Sequence, residues 1–189
     1  MARVLILYAT HHGQTRAVAL AIAQRLRNGG NEVDLADVRE WHRLPRAASY
    51  DAVVLGSRVE FGRHAGELLS YICAQRGALS RVPTAFFSVS MAASKPGGGE
   101  DPEQYMAKAF AQVAWHPVLS AAFGGALPYR TYNWVTRLVM KRVSRKAGHP
   151  TDTSRNHELT DWTRVAAFAD RIAYIAGGAE RVEPRQQVN

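Results

Sequence analysis

Five short apolar runs alternate with helical patterns along this chain, and that rhythm narrows the folds open to it. The runs cover residues 4–9, 32–36, 52–56, 83–89 and 118–127. Helical spacing follows over 15–28, 66–76, 103–115 and 161–176. In the first helix Val18, Ile22 and Leu26 recur four residues apart, with Ala19 and Ala23 beside them, and Gly29-Gly30 supplies a C-terminal stop. A strand that is apolar throughout is buried on both faces, and a helix after it returns the chain to start the next strand in parallel. The expectation is an α/β domain with a five-stranded parallel sheet covered on both sides. It spans residues 1–178, and 179–189 read as a short tail. One segment breaks the rhythm. Residues 128–160 form a long insertion where such connections usually take about 2–6 residues.

In open α/β sheets ligands sit outside the carboxyl ends of the strands. Three polar loops follow strands here, at 10–15, 57–62 and 88–99. The first, Thr10-His11-His12-Gly13-Gln14-Thr15, joins a buried strand to a helix. Backbone N–H groups at a helix N-terminus bind anions, and threonine hydroxyls add donors. The loop matches neither G-x-x-x-x-G-K-[ST] nor G-x-G-x-x-G. A Thr-x-x-Gly-x-Thr turn suits a monophosphate, as in FMN; it also suits an ordinary strand–helix connection with a capping threonine. The second loop offers Ser57, Arg58, Phe61 and Gly62, and the third Ser88, Val89, Ser90, Met91 and Ala92. Their small residues let backbone approach a flat ring such as a flavin. These three sets are the candidate cofactor-binding residues.

Charge adds a second constraint. The net charge is +8 with a pI near 10.1. Between Glu103 and Asp152 there is no acid, while Lys108, Arg130, Arg137, Lys141, Arg142, Arg145 and Lys146 all fall there. Such a block implies an anionic partner. Residues 132–146 read as a helix with Val135, Val139 and Val143 on one stripe and Arg137, Lys141 and Arg145 on another, suited to plain packing or to an anionic membrane surface. No base-reading motif accompanies the cations, so nucleic acid is not expected. No apolar run nears the roughly 18 residues of a membrane span, and the N-terminus enters a strand directly, so no signal peptide is expected. The lone Cys73 excludes a disulfide framework, implies a reducing cytoplasm and sits in an apolar helical stretch as a core residue. His64, His116, His149 and His157 are scattered, and no metal site is expected. Asp161 suits a helix N-cap, and Trp115 and Trp162 read as core.

Together these motifs resemble the flavodoxin-like proteins, and more narrowly the menaquinone-dependent protoporphyrinogen IX dehydrogenases of bacterial haem synthesis. The resemblance runs from about Val4 to Ala176. It is carried by Leu5-Ile6-Leu7-Tyr8-Ala9-Thr10 with Gly13-Gln14-Thr15-Arg16, by Phe86-Phe87-Ser88-Val89, by Ala93-Ser94-Lys95-Pro96 and by Gly125-Ala126-Leu127. The insertion is its most specific part: Tyr129-Arg130, Tyr132, Trp134, Met140-Lys141, Thr151-Asp152-Thr153 and Thr160-Asp161-Trp162. Arg58 and Glu60 depart from the family pattern, which has a small residue and a basic one at those places.

The resemblance implies a flavodoxin-like sheet of order 2-1-3-4-5, FMN, protoporphyrinogen IX as substrate, and a membrane quinone (menaquinone or ubiquinone) as acceptor. It implies hydride departure from a macrocycle carbon to the flavin, with proton loss from a pyrrole nitrogen; no protein acid–base pair is evident in the sequence. The substrate is an apolar macrocycle with two propionates, so Tyr129, Arg130, Tyr132, Trp134, Arg137, Lys141 and Arg145 are candidates to meet it or the membrane. The implied location is cytoplasmic and peripheral, on the inner face of the cell membrane. A flavodoxin-type electron carrier and an NAD(P)H:quinone reductase are the alternatives.

Overall fold

The computed structural model describes residues 1–39, 44–94, 101–127, 152 and 157–178. Five parallel strands, β1 (Arg3–Ala9), β2 (Glu32–Asp37), β3 (Ala52–Glu60), β5 (Thr84–Ser90) and β6 (Leu119–Gly124), lie in the order β2-β1-β3-β5-β6. This is the expected 2-1-3-4-5 order with one addition: a two-residue strand, β4 (Arg63–His64), pairs antiparallel with the end of β3. A separate short pair joins β7 (Ala126–Leu127) to β8 (His157–Glu158). Among the described residues the α-helices are α1 (Gln14–Asn28), α2 (Gly66–Leu79), α3 (Pro102–Val113) and α4 (Trp162–Ala176).

The strands alternate side chains between two cores. Val4, Ile6, Val54, Phe87 and Phe123 meet Val18, Ile22 and Leu26 of α1 and Phe168 and Ile172 of α4. Leu5, Leu7, Val53, Leu55 and Phe86 meet Leu68 and Ile72 of α2 and Met106 and Phe110 of α3. Full burial of such a side chain stabilises by about 1.5–3 kcal/mol, so this double-sided burial is the main term holding the fold.

Several expectations need correction. The strand read as 52–56 runs on to Glu60, so 57–60 are strand and only Phe61-Gly62 form the turn into β4. Gly56, the last residue of the run 52–56, lies inside β3 and marks a close approach: a Cβ there would lie 2.1 Å from Phe87 Cζ. The run 118–127 breaks after Gly124, where a Cβ would lie 2.3 Å from the Leu159 carbonyl oxygen. Cys73 is exposed, because Leu68, Leu69 and Ile72 already define the buried side of α2. Trp162 is 41% exposed rather than core, while Trp115 is buried as expected. Asp161 caps α4, accepting from the N–H groups of Thr163 and Arg164. The insertion candidates Tyr129, Arg130, Tyr132, Trp134, Arg137, Lys141 and Arg145 lie outside the described residues.

Candidate functional site

The strand registers bring three segments to one edge. Ala9 pairs with Ser57, Ser57 with Ser88, and Ser88 with Ala122, so the carboxyl ends of β1, β3, β5 and β6 stand level. At the first end, the buried Thr10 Oγ1 accepts from the Gly13 N–H at 3.1 Å and closes the turn. Gly13 then takes a left-handed conformation (φ 89°), the N-cap of α1, where it costs a glycine little. It offers no side-chain cap, and the first turn of α1 holds no acid. The first N–H groups of α1 therefore face the loop with the positive end of the helix dipole behind them. Thr15 is buried in that turn. An uncapped helix start behind a glycine with positive φ fits a phosphate.

Gln14 is committed elsewhere through its side chain. Its Nε2 donates to Glu158 Oε1 and to Thr160 Oγ1, both at 2.8 Å. Thr160 Oγ1 donates in turn to the Gly124 carbonyl at 2.7 Å. This chain of bonds ties the first loop to the end of β6.

The β3–β4 hairpin is built by charge. Arg58 donates to Glu60 Oε2 at 3.0 Å and to Glu67 Oε1 of α2 at 2.7 Å. Glu60 Oε1 meets His11 Nδ1 at 2.8 Å, which fastens the hairpin to the first loop. Burial alone would push the Glu60 carboxyl up, but the bonds from His11 and Arg58 outweigh it and hold it low. Glu67 is likewise held below the ordinary carboxylate range: burial opposes, and its Arg58 bond prevails. His12 stacks on His11 with ring centroids 4.3 Å apart; burial first, then the His11 charge, lower its pKa. The two residues that depart from the family pattern, Arg58 and Glu60, pair with each other. At the hairpin tip Phe61 has a positive φ (50°) and a fully exposed ring, followed by Gly62 at φ 72°. A phenylalanine held at such a φ and bare to solvent is a ready face for a flat ligand.

The third segment supplies small groups. Ser90 Oγ accepts from the Ala93 N–H, and Ser94 Oγ donates to the Met91 carbonyl, shaping a short turn around Ala92. The Val89 side chain is buried in the α1/α4 core, so only its backbone is available. Ser57 is buried and accepts from the Ala65 N–H. The buried Ser88 Oγ finds no hydrogen-bond partner among the described residues, nor does either ring nitrogen of His64. An orphaned buried hydroxyl at this edge is the mark of a site built for a further group.

The three candidate sets therefore meet, with Gln14, Arg58 and Val89 contributing as supports or backbone. Sequence reasoning missed Glu67 and Glu158, placed Thr160 only within the insertion's family pattern and left His64 as a scattered histidine. The partners in the loop network lie far apart in the chain, and no local spacing announced them.

A flavodoxin-domain family profile matches residues 5–154. The protoporphyrinogen IX dehydrogenase [quinone] of Escherichia coli strain K12 is 34% identical over 176 residues, covering 92% of this chain and 96% of that protein. The enzyme of the same name from Leishmania major is 30% identical over 189 residues, 99% of this chain and 80% of its own. Among solved structures, a short-chain flavodoxin associated with a non-canonical PDU bacterial microcompartment superposes with a TM-score of 0.56 at 14% identity, over 93% of this chain and 99% of that one, a likeness of fold. The chain belongs to the flavodoxin-like protoporphyrinogen IX dehydrogenase family.

Proposed function

We propose that this chain is an FMN-dependent oxidoreductase that converts protoporphyrinogen IX to protoporphyrin IX and passes the electrons to a membrane quinone. The observation that carries the FMN reading is the meeting of the uncapped α1 start with the exposed Phe61 ring and the orphaned Ser88 hydroxyl at one sheet edge. The near full-length relatives support the substrate and acceptor.

In this reading the N–H groups at the start of α1 and the hydroxyls of Thr10 and Thr15 hold the phosphate. Phe61 lies against one face of the flavin ring. The backbone at Ser88, Val89, Ser90, Met91 and Ala92 reads its polar edge, with Ser88 Oγ given a partner at last. His11, Glu60 and Arg58 keep the hairpin in place. When bound, FMN supplies two-electron chemistry, and repeated two-electron steps complete the oxidation. The basic residues of 128–151 meet an anionic membrane surface, where the quinone resides, at the inner face of the cell membrane. No helix among the described residues is long and apolar enough to cross a membrane.

Anaerobic mixing of the FMN-loaded protein with protoporphyrinogen IX tests this. The expected result is flavin bleaching with growth of porphyrin fluorescence, and recovery of flavin absorbance on adding quinone. Bleaching by NAD(P)H but not by the porphyrinogen identifies an NAD(P)H:quinone reductase instead. No bleaching by either leaves an electron carrier.

A further inference from the structure

The ends of β1 and β3 bring three metal-ligating side chains together. His11 and His12 follow Thr10 beyond β1, and Glu60 is the last residue of β3. Adjacent side chains on a strand point to opposite faces. The bend after β1 instead turns both imidazoles the same way, with ring centroids 4.3 Å apart and planes 17° from parallel. His11 Nδ1 meets Glu60 Oε1 at 2.8 Å. One ligand atom from each of the three residues lies within 4.8 Å of the other two. Around a tetrahedral zinc ion with bonds of about 2.0–2.2 Å, ligand atoms stand roughly 3.4 Å apart, so small rotations of the two exposed histidines close the set. Among the described residues no other three His, Cys, Asp or Glu side chains converge in this way. Two imidazoles and a carboxylate suit zinc-class ions, whereas Mg²⁺ and Ca²⁺ take oxygen ligands. The local charge also suits a cation. Arg58 bonds Glu60 Oε2 at 3.0 Å and Glu67 Oε1 at 2.7 Å. One guanidinium against two carboxylates leaves a negative charge over, in a chain of net charge +8. The start of α1 opposes a cation with only about half a charge. The Arg58 bond fixes Glu60 from behind, as an outer partner fixes a metal ligand.

We propose that His11, His12 and Glu60 bind a divalent transition-metal ion of the zinc class, which clasps the β3–β4 hairpin to the first loop. The ion takes the place of the proton that bridges His11 and Glu60, and that proton passes to solvent. Its fourth position is left to water. Glu60 immediately precedes Phe61, so the clasp fixes the backbone that carries the exposed ring. The trio leaves no local spacing, because 49 residues separate His11 from Glu60. The site is made by loop and hairpin alone and does not depend on the flavin or substrate reading above.

The test titrates Zn²⁺ and Mg²⁺ calorimetrically into the full chain, freed of any histidine tag and stripped with a chelator, in phosphate-free buffer. The parent is expected to bind one Zn²⁺ per chain, at least about a hundredfold more tightly than Mg²⁺. Loss of an outer partner alone costs about 10–100-fold in metal affinity, so His11→Gln, His12→Gln and Glu60→Gln should each weaken Zn²⁺ at least about tenfold. His116→Gln, at an exposed histidine beyond the end of α3, should stay within about twofold, since distant sites act independently. Backbone hydrogen exchange over residues 57–64 should slow when Zn²⁺ is added to the parent and stay unmoved in Glu60→Gln. The measurement on the parent needs no variant to fold. Absence of Zn²⁺ binding overturns the proposal, as does equal affinity for Mg²⁺. Undiminished Zn²⁺ affinity in the histidine variants or in Glu60→Gln overturns it too, and so does a tenfold loss in His116→Gln, which places the ion elsewhere. Zn²⁺ binding that leaves hairpin exchange in the parent unmoved overturns the clasp and puts the ion on the first loop alone.

Discussion

At the scale of single residues, two side chains have opposite requirements. Thr15 is 2% exposed at the start of α1. Its hydroxyl stands where the phosphate is proposed to sit, and valine keeps its shape while removing the donor. A hydrogen bond to a charged group contributes about 1.5–3 kcal/mol, so Thr15→Val is expected to weaken FMN roughly ten- to a hundredfold. Flavin fluorescence titration measures this, and an unchanged dissociation constant removes the loop from the site. His64 poses the reverse case. It is 7% exposed, with its ring edge against Phe86 at 5.2 Å and neither nitrogen paired among the described residues. Burial drives its pKa from 6.5 down to about 4. The folded state thus holds a neutral imidazole where the unfolded chain takes up a proton. Stability is complete above the unfolded value of 6.5 and is lost as pH falls toward 4, by about 3 kcal/mol for this one group. Glu60 and Glu67, both held low, lose stability on acidification as well. The comparison is therefore between parent and His64→Leu. Urea midpoints at neutral pH and near pH 4.5 should fall less in the variant, and parallel falls would show that His64 does not carry the effect.

Among the elements, the first strand, loop and helix were legible because every cue was local. The apolar run, Thr10, Gly13 and Thr15 stand within a few residues: the run is the buried β1, Thr10 closes the turn and Gly13 takes the left-handed N-cap. The β3–β4 hairpin was not legible. Gly56 stands locally as the end of the run 52–56, and only the ring of Phe87 on the next strand explains it. His11 and Glu60 are 49 residues apart, so their bond leaves no spacing to find. The Gly56–Phe87 approach carries its own prediction. Overpacking a core typically costs about 1–3 kcal/mol, and Gly56→Ala should destabilise by at least that much, because the added carbon meets a ring packed on all sides. Shrinking the ring with Phe87→Leu should recover part of the loss in the double variant, a coupling readable in a denaturation cycle. Strict additivity would mean that the strand bends away instead.

For the whole molecule, the distribution of charge decides more than its total. The described fold carries its ion pairs in compact sets, as at Arg58 with Glu60 and Glu67 and at Arg25 with Asp170. The acid-free stretch that contains Arg137, Lys141 and Arg145 offers no such neutralising partner within its own sequence. Cations near an anionic lipid surface contribute about 1 kcal/mol each, and the attraction falls off within a Debye length of roughly 8–10 Å at physiological salt. The protein should therefore bind anionic vesicles reversibly, and binding should weaken as salt rises. Reversing the charge at Arg137, Lys141 and Arg145 together should abolish vesicle binding and leave FMN binding intact, because the phosphate loop is built from β1 and α1. Turnover with a water-soluble quinone should then fall less than turnover with menaquinone held in vesicles. If the triple variant sediments with anionic vesicles as well as the parent does, these cations are not the membrane contact. In that case, turnover that falls equally with both quinones assigns them to the substrate, and unchanged turnover assigns them to solvent.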